Sequence, residues 1–366
     1  MPPTVRDWTS LLDDAFPPSW AEPWDNPGLQ VGGADWPADR VVVALDPAPE
    51  VVAEGRELGA GLIVTHHPLV FRPLARLDEG DATARIALEA ARAGIAVFAC
   101  HTNADVAGGG VSDALAEALD LEVTGVLEAT AAGERVKLVT FVPPEATAKV
   151  LDAVAGAGGG VIGEYTHCSF RVRGSGTFLP SERAQPVVGE RGELNEAEED
   201  RLEIVVPRER LSTATRAMIE AHPYEEVAYD AYQLVGGGLG LGRVTRLREP
   251  VTGDELAGRC AERLGASVRV AGPRDRPVER VAVCGGSGGS LVAAAIRCGA
   301  DAYVTGDVKH HEALDARAAG LTVIDAGHHA TEWPFVPRLA ALLSDRGEGL
   351  GSVEISNVST DPFAQR

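Results

Sequence analysis

Two adjacent histidines, His66 and His67, close the apolar run Leu62-Ile63-Val64 in the stretch V-T-H-H-P. Neighbouring residues of a strand point to opposite faces, so a pair of imidazoles inside a strand would be split. At the carboxyl end of a strand, where the chain turns, both can reach one cleft. Three further candidate ligands, Asp105, His328 and Glu332, occupy comparable places. C-H-T-N-A-D (100–105) follows the apolar run Ile95–Ala99 and carries His101 and Asp105. D-A-G-H-H-A-T-E (325–332) ends another such run and carries His328 and Glu332, four positions apart. On a helix that spacing puts imidazole and carboxylate on one face, a good edge for a divalent metal. Taken singly, His-x-x-x-Glu is equally an ordinary helix start, and Asp105 equally a cap. The set is what points to a metal. Five such ligands exceed the need of one tetrahedral ion, whereas two ions bridged by a carboxylate would use them all. Such a pair, roughly 3.5–4 Å apart, activates water for hydrolysis. Nitrogen and oxygen donors without cysteine suit Zn, Mn, Fe or Ni better than Ca or Mg.

The elements that must position these groups follow an α/β rhythm. Val41–Leu45 reads as a buried parallel strand, Pro49–Leu58 as a helix with Pro near its start, Leu62–Thr65 as a strand, Thr83–Ala93 as a helix and Ile95–Ala99 as a third strand. Repeated β-α-β units imply a parallel sheet covered by helices. The last third repeats the first. R-V-V-V-A-L-D at Arg40 matches R-V-A-V-C-G-G at Arg280, and G-A-G-L-I-V-T-H-H at Gly59 matches G-A-D-A-Y-V-T-G-D at Gly299. G-I-A-V-F-A-C-H at Gly94 likewise matches G-L-T-V-I-D-A-G at Gly320. The middle third breaks the pattern. Lys137–Val142, Tyr165–Arg173 and Arg201–Val206 read as strands, with helices over 144–155 and after Pro207, in the order β-α-β-β-α-β of a ferredoxin-like domain. The acidic run Gly189–Asp200 reads as a solvated loop, and Gly236-Gly237-Gly238 with the following G-L-G-L-G-R as a flexible return. The expected architecture is α/β: two duplicated lobes with parallel-rich sheets flanked by helices, plus an inserted α+β domain, with boundaries at 1–124, 125–236 and 237–366. Ligands of open α/β sheets bind outside the carboxyl ends of the strands, so the five groups converge if the lobes face each other.

D-N-P-G-L-Q-V-G (25–32), T-H-H-P, H-T-N-A-D, G-D-V-K-H-H-E-A-L-D-A, G-H-H-A-T-E and the tail S-T-D-P-F closely resemble the Nif-three-like dinuclear-metal-centre family, whose members are also labelled GTP cyclohydrolase 1 type 2 homologues. The motifs occur in order over nearly the whole chain. The resemblance implies metal ligation by His66, His67, Asp105, His328 and Glu332, with Glu332 bridging two divalent ions. Asp105 and one histidine of the 66/67 pair would hold one ion; His328 and the other histidine would hold the second. It also implies a homohexamer built as a trimer of dimers, and an insert similar to PII and CutA regulators, of which H-P-Y-E-E-V-A-Y-D (222–230) is typical.

Other residues are secondary candidates. His101 orients a ligand from the second layer or is a buried hydrogen-bonded histidine. Asp46, Asn26 and Thr102 stand where substrate could reach, although Asp46 before Pro47 is equally a turn residue. Asp307, His310 and His311 follow the strand equivalent to that of the 66/67 pair, and His311 is a candidate acid or base. His222 is a structural residue of the insert or hangs near the metal cavity. C-G-G-S-G-G-S (284–290) either offers free N–H groups to a phosphate or simply packs closely. Glu332, His101 and His311 are therefore the residues expected to take part in catalysis.

The composition sets limits. With 366 residues, two or three domains are expected. A net charge of −21 disfavours nucleic acid and anionic membranes as partners. The start M-P-P-T-V-R-D-W lacks signal-peptide regions, and no apolar stretch is long enough for a membrane span. Five cysteines without a C-x-x-C pair read as reduced thiols of a cytoplasmic protein. Three functions follow. The first is a metal-dependent hydrolase of a small, nucleotide-like substrate, with a metal-bridging hydroxide as nucleophile. The second is a non-catalytic metal-binding or small-molecule-sensing regulator. The third, a nucleic-acid-associated factor, has the net charge against it.

Overall fold

The computed structural model describes residues 2–130, 134–163, 165–234 and 239–363. The chain forms two compact units, one of residues 1–128 with 238–366 and one of residues 129–237.

The first unit holds two mixed sheets whose strand orders correspond. One runs Gly28–Val31, Ala96–Ala99, Leu62–Thr65, Arg40–Ala44, Ser352–Ile355; the other runs Arg269–Ala271, Thr322–Asp325, Ala302–Gly306, Pro277–Ser287, Gly240–Thr252, Glu122–Ala129. Each begins with an antiparallel edge strand and continues with three parallel strands. The central strands are buried along their whole length, as parallel strands covered on both faces must be. Local signals set the helices between them. Pro49 fixes the first turn of Pro49–Leu58, and Gly59, at φ +72°, ends it in the left-handed region. Thr252 and Glu255 form a reciprocal capping box at the start of Gly253–Leu264.

The lobes expected over 1–124 and 237–366 exchange segments. Ser352–Ile355 pairs in parallel with Arg40–Ala44, and helix Phe335–Arg346 places Phe335, Leu339 and Leu343 in one core with Val5, Trp8 and Leu12. The end of the chain thus completes the first lobe. Conversely, Glu122–Ala129 joins the second sheet, and Leu115, Ala116 and Leu119 share a core with Val281 and Val304. A four-residue strand such as S-V-E-I carries too little pattern to name its partner.

The G-L-G-L-G-R run differs from the flexible return expected of it. Its triplet Gly236–Gly238 lies outside the described residues, but from Gly240 the chain is strand. There Arg243, 2 % exposed, pairs with Asp113 at 2.7 Å and donates to the carbonyls of Gly240, Gly242 and Ala107. This buried guanidinium ties the second sheet to the turn before helix Val111–Ala118.

The second unit has the element order β-α-β-β-α-β, with strands in the sheet order Ser169–Phe178, Asn195–Pro207, Arg135–Val142, Tyr229–Gln233, every pair antiparallel. Helices Thr147–Gly156 and Leu211–Ala221 cover one face through Val150, Val154, Ala214 and Met218. The strand expected over 165–173 runs instead over Ser169–Phe178, and half of the acidic run expected as loop is strand. The reason is cross-strand pairing: Arg173 binds Glu198 and Asp200, and Ser175 donates to Glu196. No helix among the described residues is long and apolar enough to cross a membrane.

Replacing one partner of a buried ion pair leaves the other uncompensated, at a cost of about 3–5 kcal/mol. Arg243→Ala should therefore lower the thermal unfolding midpoint far more than Arg263→Ala, whose ion pair with Asp120 is exposed and 4.0 Å long. Equal midpoints for the two variants would show that Arg243 does not hold the sheet in place.

Candidate metal centre

The carboxyl ends of the parallel strands of both sheets deliver the candidate residues to one place. His66 and His67 follow Leu62–Thr65, His101 and Asp105 follow Ala96–Ala99, and His328 and Glu332 form the single turn of helix after Thr322–Asp325. Glu332 lies at the middle. Its side chain is 5 % exposed; Oε1 is 3.1 Å from His328 Nε2 and 3.6 Å from His66 Nε2, and Oε2 is 3.1 Å from His67 Nε2. Asp105 Oδ1 is 3.7 Å from His66 Nε2, and the Nε2 atoms of His67 and His328 are 3.4 Å apart. All five residues named from the sequence thus meet, and their nearest approaches order them: His66 beside Asp105, His67 beside His328, Glu332 touching both sides.

The imidazoles are oriented from behind. His66 Nδ1 donates to the Cys100 carbonyl at 2.8 Å, His67 Nδ1 to Asp46 at 2.7 Å and His328 Nδ1 to Asp307 at 2.7 Å. A carbonyl or carboxylate only accepts, so each bond fixes a proton on Nδ1 and turns Nε2 inward. Asp46 is held in turn by the Thr360 hydroxyl from the S-T-D-P-F tail. Asp307 takes φ +55° to reach His328, a left-handed conformation that Asp tolerates better than most residues.

The electrostatics favour cations. Burial opposes a charge on His67, but the hydrogen bond to Asp46 and the nearby Glu332 carboxylate outweigh burial and raise it to about 10. The bond to Glu332 likewise raises His328 to about 9. Glu332 is held well below the usual carboxylate range: burial works against its charge, but the imidazoles of His66, His328 and His67 around it prevail. Burial pushes the Asp105 carboxyl up.

The donor set fits a divalent ion. His66 Nε2 and Glu332 Oε2 are buried without a hydrogen-bond partner among the described residues, although burying a polar atom unpaired costs free energy. A metal bond satisfies both. His67, His328 and Glu332 form one group of donors close enough to share an ion, and His66, His67 and His101 form another, with donor atoms within 4.8 Å. Ligands of this mixed nitrogen and oxygen type hold transition metals rather than calcium.

The remaining candidates divide. His101 stands at the cluster, its Nδ1 2.7 Å from Asp25 Oδ1. Asn26 and Thr102, expected within reach of substrate, are scaffolding: Asn26 Nδ2 donates to the Val70 carbonyl, and the buried Thr102 hydroxyl donates to Asp25. Gln30 adds a second tie, accepting from Val70 N–H at 2.8 Å, so D-N-P-G-L-Q-V-G holds the loop after T-H-H-P. His310 and His311 open helix His310–Ala319, exposed, and their rings contact each other. His222 spends both ring nitrogens inside its own unit, on the Phe141 carbonyl and the Tyr224 N–H, which makes it a structural residue there. C-G-G-S-G-G-S is close packing: Gly286 N–H donates to Thr331 Oγ1, and Gly288 N–H to the Gly286 carbonyl. All five cysteines are free thiols. Asp25 and Thr360 are functional positions that the sequence alone does not single out, although both lie in the motifs quoted.

Known proteins resemble this chain over nearly its whole length. The family model Duf34/NIF3 (NGG1p interacting factor 3) matches residues 3–362. A Halalkalibacterium halodurans protein named GTP cyclohydrolase 1 type 2 homolog is 40% identical over 359 residues, 96% of each chain. A Bacillus cereus protein related to NIF3 superposes with a TM-score of 0.73 at 39% identity, covering 100% of both chains. A Staphylococcus aureus structure gives 0.78 at 30% identity, covering 100% of this chain and 99% of that one.

Gly286 sits at φ +68°, and a Cβ there would lie 2.0 Å from Glu332 Oε1. Gly286→Ala should push the carboxylate away and cost about 10–100-fold in affinity for a divalent ion, the loss typical when a metal ligand loses its support. Gly258→Ala, where a Cβ meets no atom within 4 Å, should leave affinity unchanged. A zinc titration against a competing chelator measures both; equal affinities would show that Glu332 needs no glycine behind it.

Proposed function

The chain belongs to the Duf34/NIF3 family, and from that premise we propose that it is a hydrolase working through two divalent metal ions per chain, of Zn, Mn, Fe or Ni. The observation that carries this reading is Glu332: a buried carboxylate whose two oxygens face different histidines, one of them lacking any hydrogen bond among the described residues. That placement suits a bridging ligand. His66 with Asp105 would hold one ion and His67 with His328 the other. Bound there, the ions supply Lewis acidity and an activated water for attack on an electrophilic carbon or phosphorus.

The chain's own residues do the positioning. Asp46 and Asp307 keep Nε2 of His67 and His328 turned inward, and Glu332 keeps both sides at a fixed separation. The substrate class is a small molecule with a planar ring. Trp24 and Phe71, 60% and 44% exposed, stand edge to face at 6.0 Å, and both rings lie against His101, at 6.4 and 6.1 Å. Exposed aromatics beside a polar cluster are a stacking platform. The relatives' name, GTP cyclohydrolase 1 type 2 homolog, agrees with a purine-like ring. His101, beside the cluster and the platform, is better placed to act than His311. The unit 129–237 is proposed as a ferredoxin-like, PII/CutA-like insert, supported by its strand order. The assembly is proposed as a homohexamer in the cytoplasm.

A second reading has one observation behind it. Inside the unit 129–237 a cavity of about 1040 Å³ lies between the open face of the sheet and the segment 179–188, with Phe141, Arg201 and Tyr224 in its wall. A cavity of that size suits a small-molecule sensor.

Protein purified without a His tag or chelator should carry about two metal ions per chain by mass spectrometry, and Glu332→Ala should lose them, since a bridging ligand serves both ions. No bound metal after incubation with Zn, Mn or Fe would end the hydrolase reading. Metal-loaded parent should turn over a member of a panel of nucleotides, phosphoesters and cyclic amides, and Trp24→Ala should raise KM more than it lowers kcat. Saturable nucleotide binding without product would favour the sensor. A light-scattering mass other than six chains would remove the hexamer.

A further inference from the structure

Every histidine at the centre is built alike. His66, His67 and His328 each give Nδ1–H to a fixed oxygen, on Cys100, Asp46 and Asp307, at 2.7–2.8 Å. His101 has the same construction: Nδ1–H donates to Asp25 Oδ1 at 2.7 Å. Asp25 is itself locked. Its side chain is fully buried, and it also accepts from the Thr102 N–H at 3.0 Å, the Thr102 hydroxyl and the Asn26 N–H at 2.7 Å. This leaves His101 Nε2 as a lone-pair donor. The ring stands 5.3 Å from that of His66 and 5.7 Å from that of His67, centre to centre, and one donor atom from each of the three lies within 4.8 Å of the others.

A residue that orients a metal ligand from outside must hydrogen-bond to that ligand. Among the described residues the His101 ring bonds to none of the five ligand side chains: it bonds to Asp25, while the backbone N–H donates to Asn103 and the carbonyl accepts from the N–H groups of Ala104 and Asp105. It has an outer partner of its own, as ligands have. We propose that His101 is itself a metal ligand, a nitrogen donor beside His66 and His67, and that Asp25 is the positioning residue that sets its tautomer. The inference rests on the reading that the centre holds divalent ions, and it adds a fourth imidazole to a set of three histidines and two carboxylates. A set with four imidazoles favours Zn, Ni or Fe over Mn. It also gives D-N-P-G-L-Q-V-G a chemical role, because its Asp25 supports a ligand 76 positions away.

The test is X-ray absorption at the zinc edge of the zinc-loaded full chain, which counts imidazoles, beside zinc affinity by chelator competition. Four histidines shared by two ions give about two imidazoles per zinc in the parent, and three give about one and a half. The parent should show the higher figure. His101→Ala should fall to the lower one, as should His101→Gln, which keeps a polar side chain of similar reach in case alanine disturbs folding. Asp25→Asn should keep the higher count at saturation while weakening zinc binding about 10–100-fold, as expected for an outer partner. A parent already at the lower count, or His101 variants that match the parent, would overturn this inference and leave the dinuclear reading standing. A parent that takes up no zinc would bring down both.

Discussion

The structure depends on burying carboxylates and imidazoles at one point. A buried charge without compensation costs several kcal/mol, and Glu332 is buried to 5% exposure with Asp105 close by. Three imidazoles within 3.1–3.6 Å of Glu332 compensate it, and they face it only because each is held from behind. Two of those holds, Asp46 and Asp307, are themselves carboxylates, so the layer that orients the histidines adds negative charge around them. The result is negative charge at two depths: inner oxygens that could hold a cation, and outer ones that make the imidazoles better donors. The same negative surroundings raise His67 and His328 well above the ordinary histidine value, and protons must leave such ligands when an ion binds.

The fold serves this constraint by supplying rigid ends. Parallel strands stop at one edge of their sheet, and the turns there carry the polar residues. Two sheets with corresponding strand orders provide two such edges, one with His66, His67 and Asp105, the other with His328 and Glu332. The turn residues then need backbone that can come close. Gly286 has no room for a Cβ beside Glu332, and a Cβ on Gly306 would lie 2.7 Å from the backbone of Gly327 and His328. Close packing explains the glycines of C-G-G-S-G-G-S: Gly286 lies against Glu332, Gly288 against Thr305 and Tyr303, and Gly289 against Glu312.

What the sequence made legible follows physical range. Strands buried on both faces read directly, because Val41–Leu45 and Leu62–Thr65 are continuous apolar runs, and Pro49 and Gly59 mark their helix without help from elsewhere. His66, His67, Asp105, His328 and Glu332 could be singled out because strand ends and helix spacing are local. Asp25 could not: its partner lies 76 positions away, and a loop aspartate before Asn and Pro looks like a turn. Ser352–Ile355 was opaque for the same reason, since its place beside Arg40–Ala44 is decided by packing of the preceding helix. The acidic run 189–200 misled because charge alone does not exclude a strand when Arg173 stands opposite.

The order of the two histidines has a physical cause as well. T-H-H-P alone cannot say which ring serves which side, since the turn after a strand permits either. Their different outer partners decide it. His66, fully buried, gives its Nδ1 proton to a backbone carbonyl of the neighbouring strand end and lies beside Asp105. His67, more exposed, leans on Asp46 at the end of the strand on its other side and meets His328. The middle strand thus sends one ring toward each neighbour, and a doublet of histidines becomes a divider. A single histidine at this position could serve only one side, and a spacing of two would return both rings to one face of the strand. Adjacency is the spacing at which one strand end can set a ring on each side of Glu332.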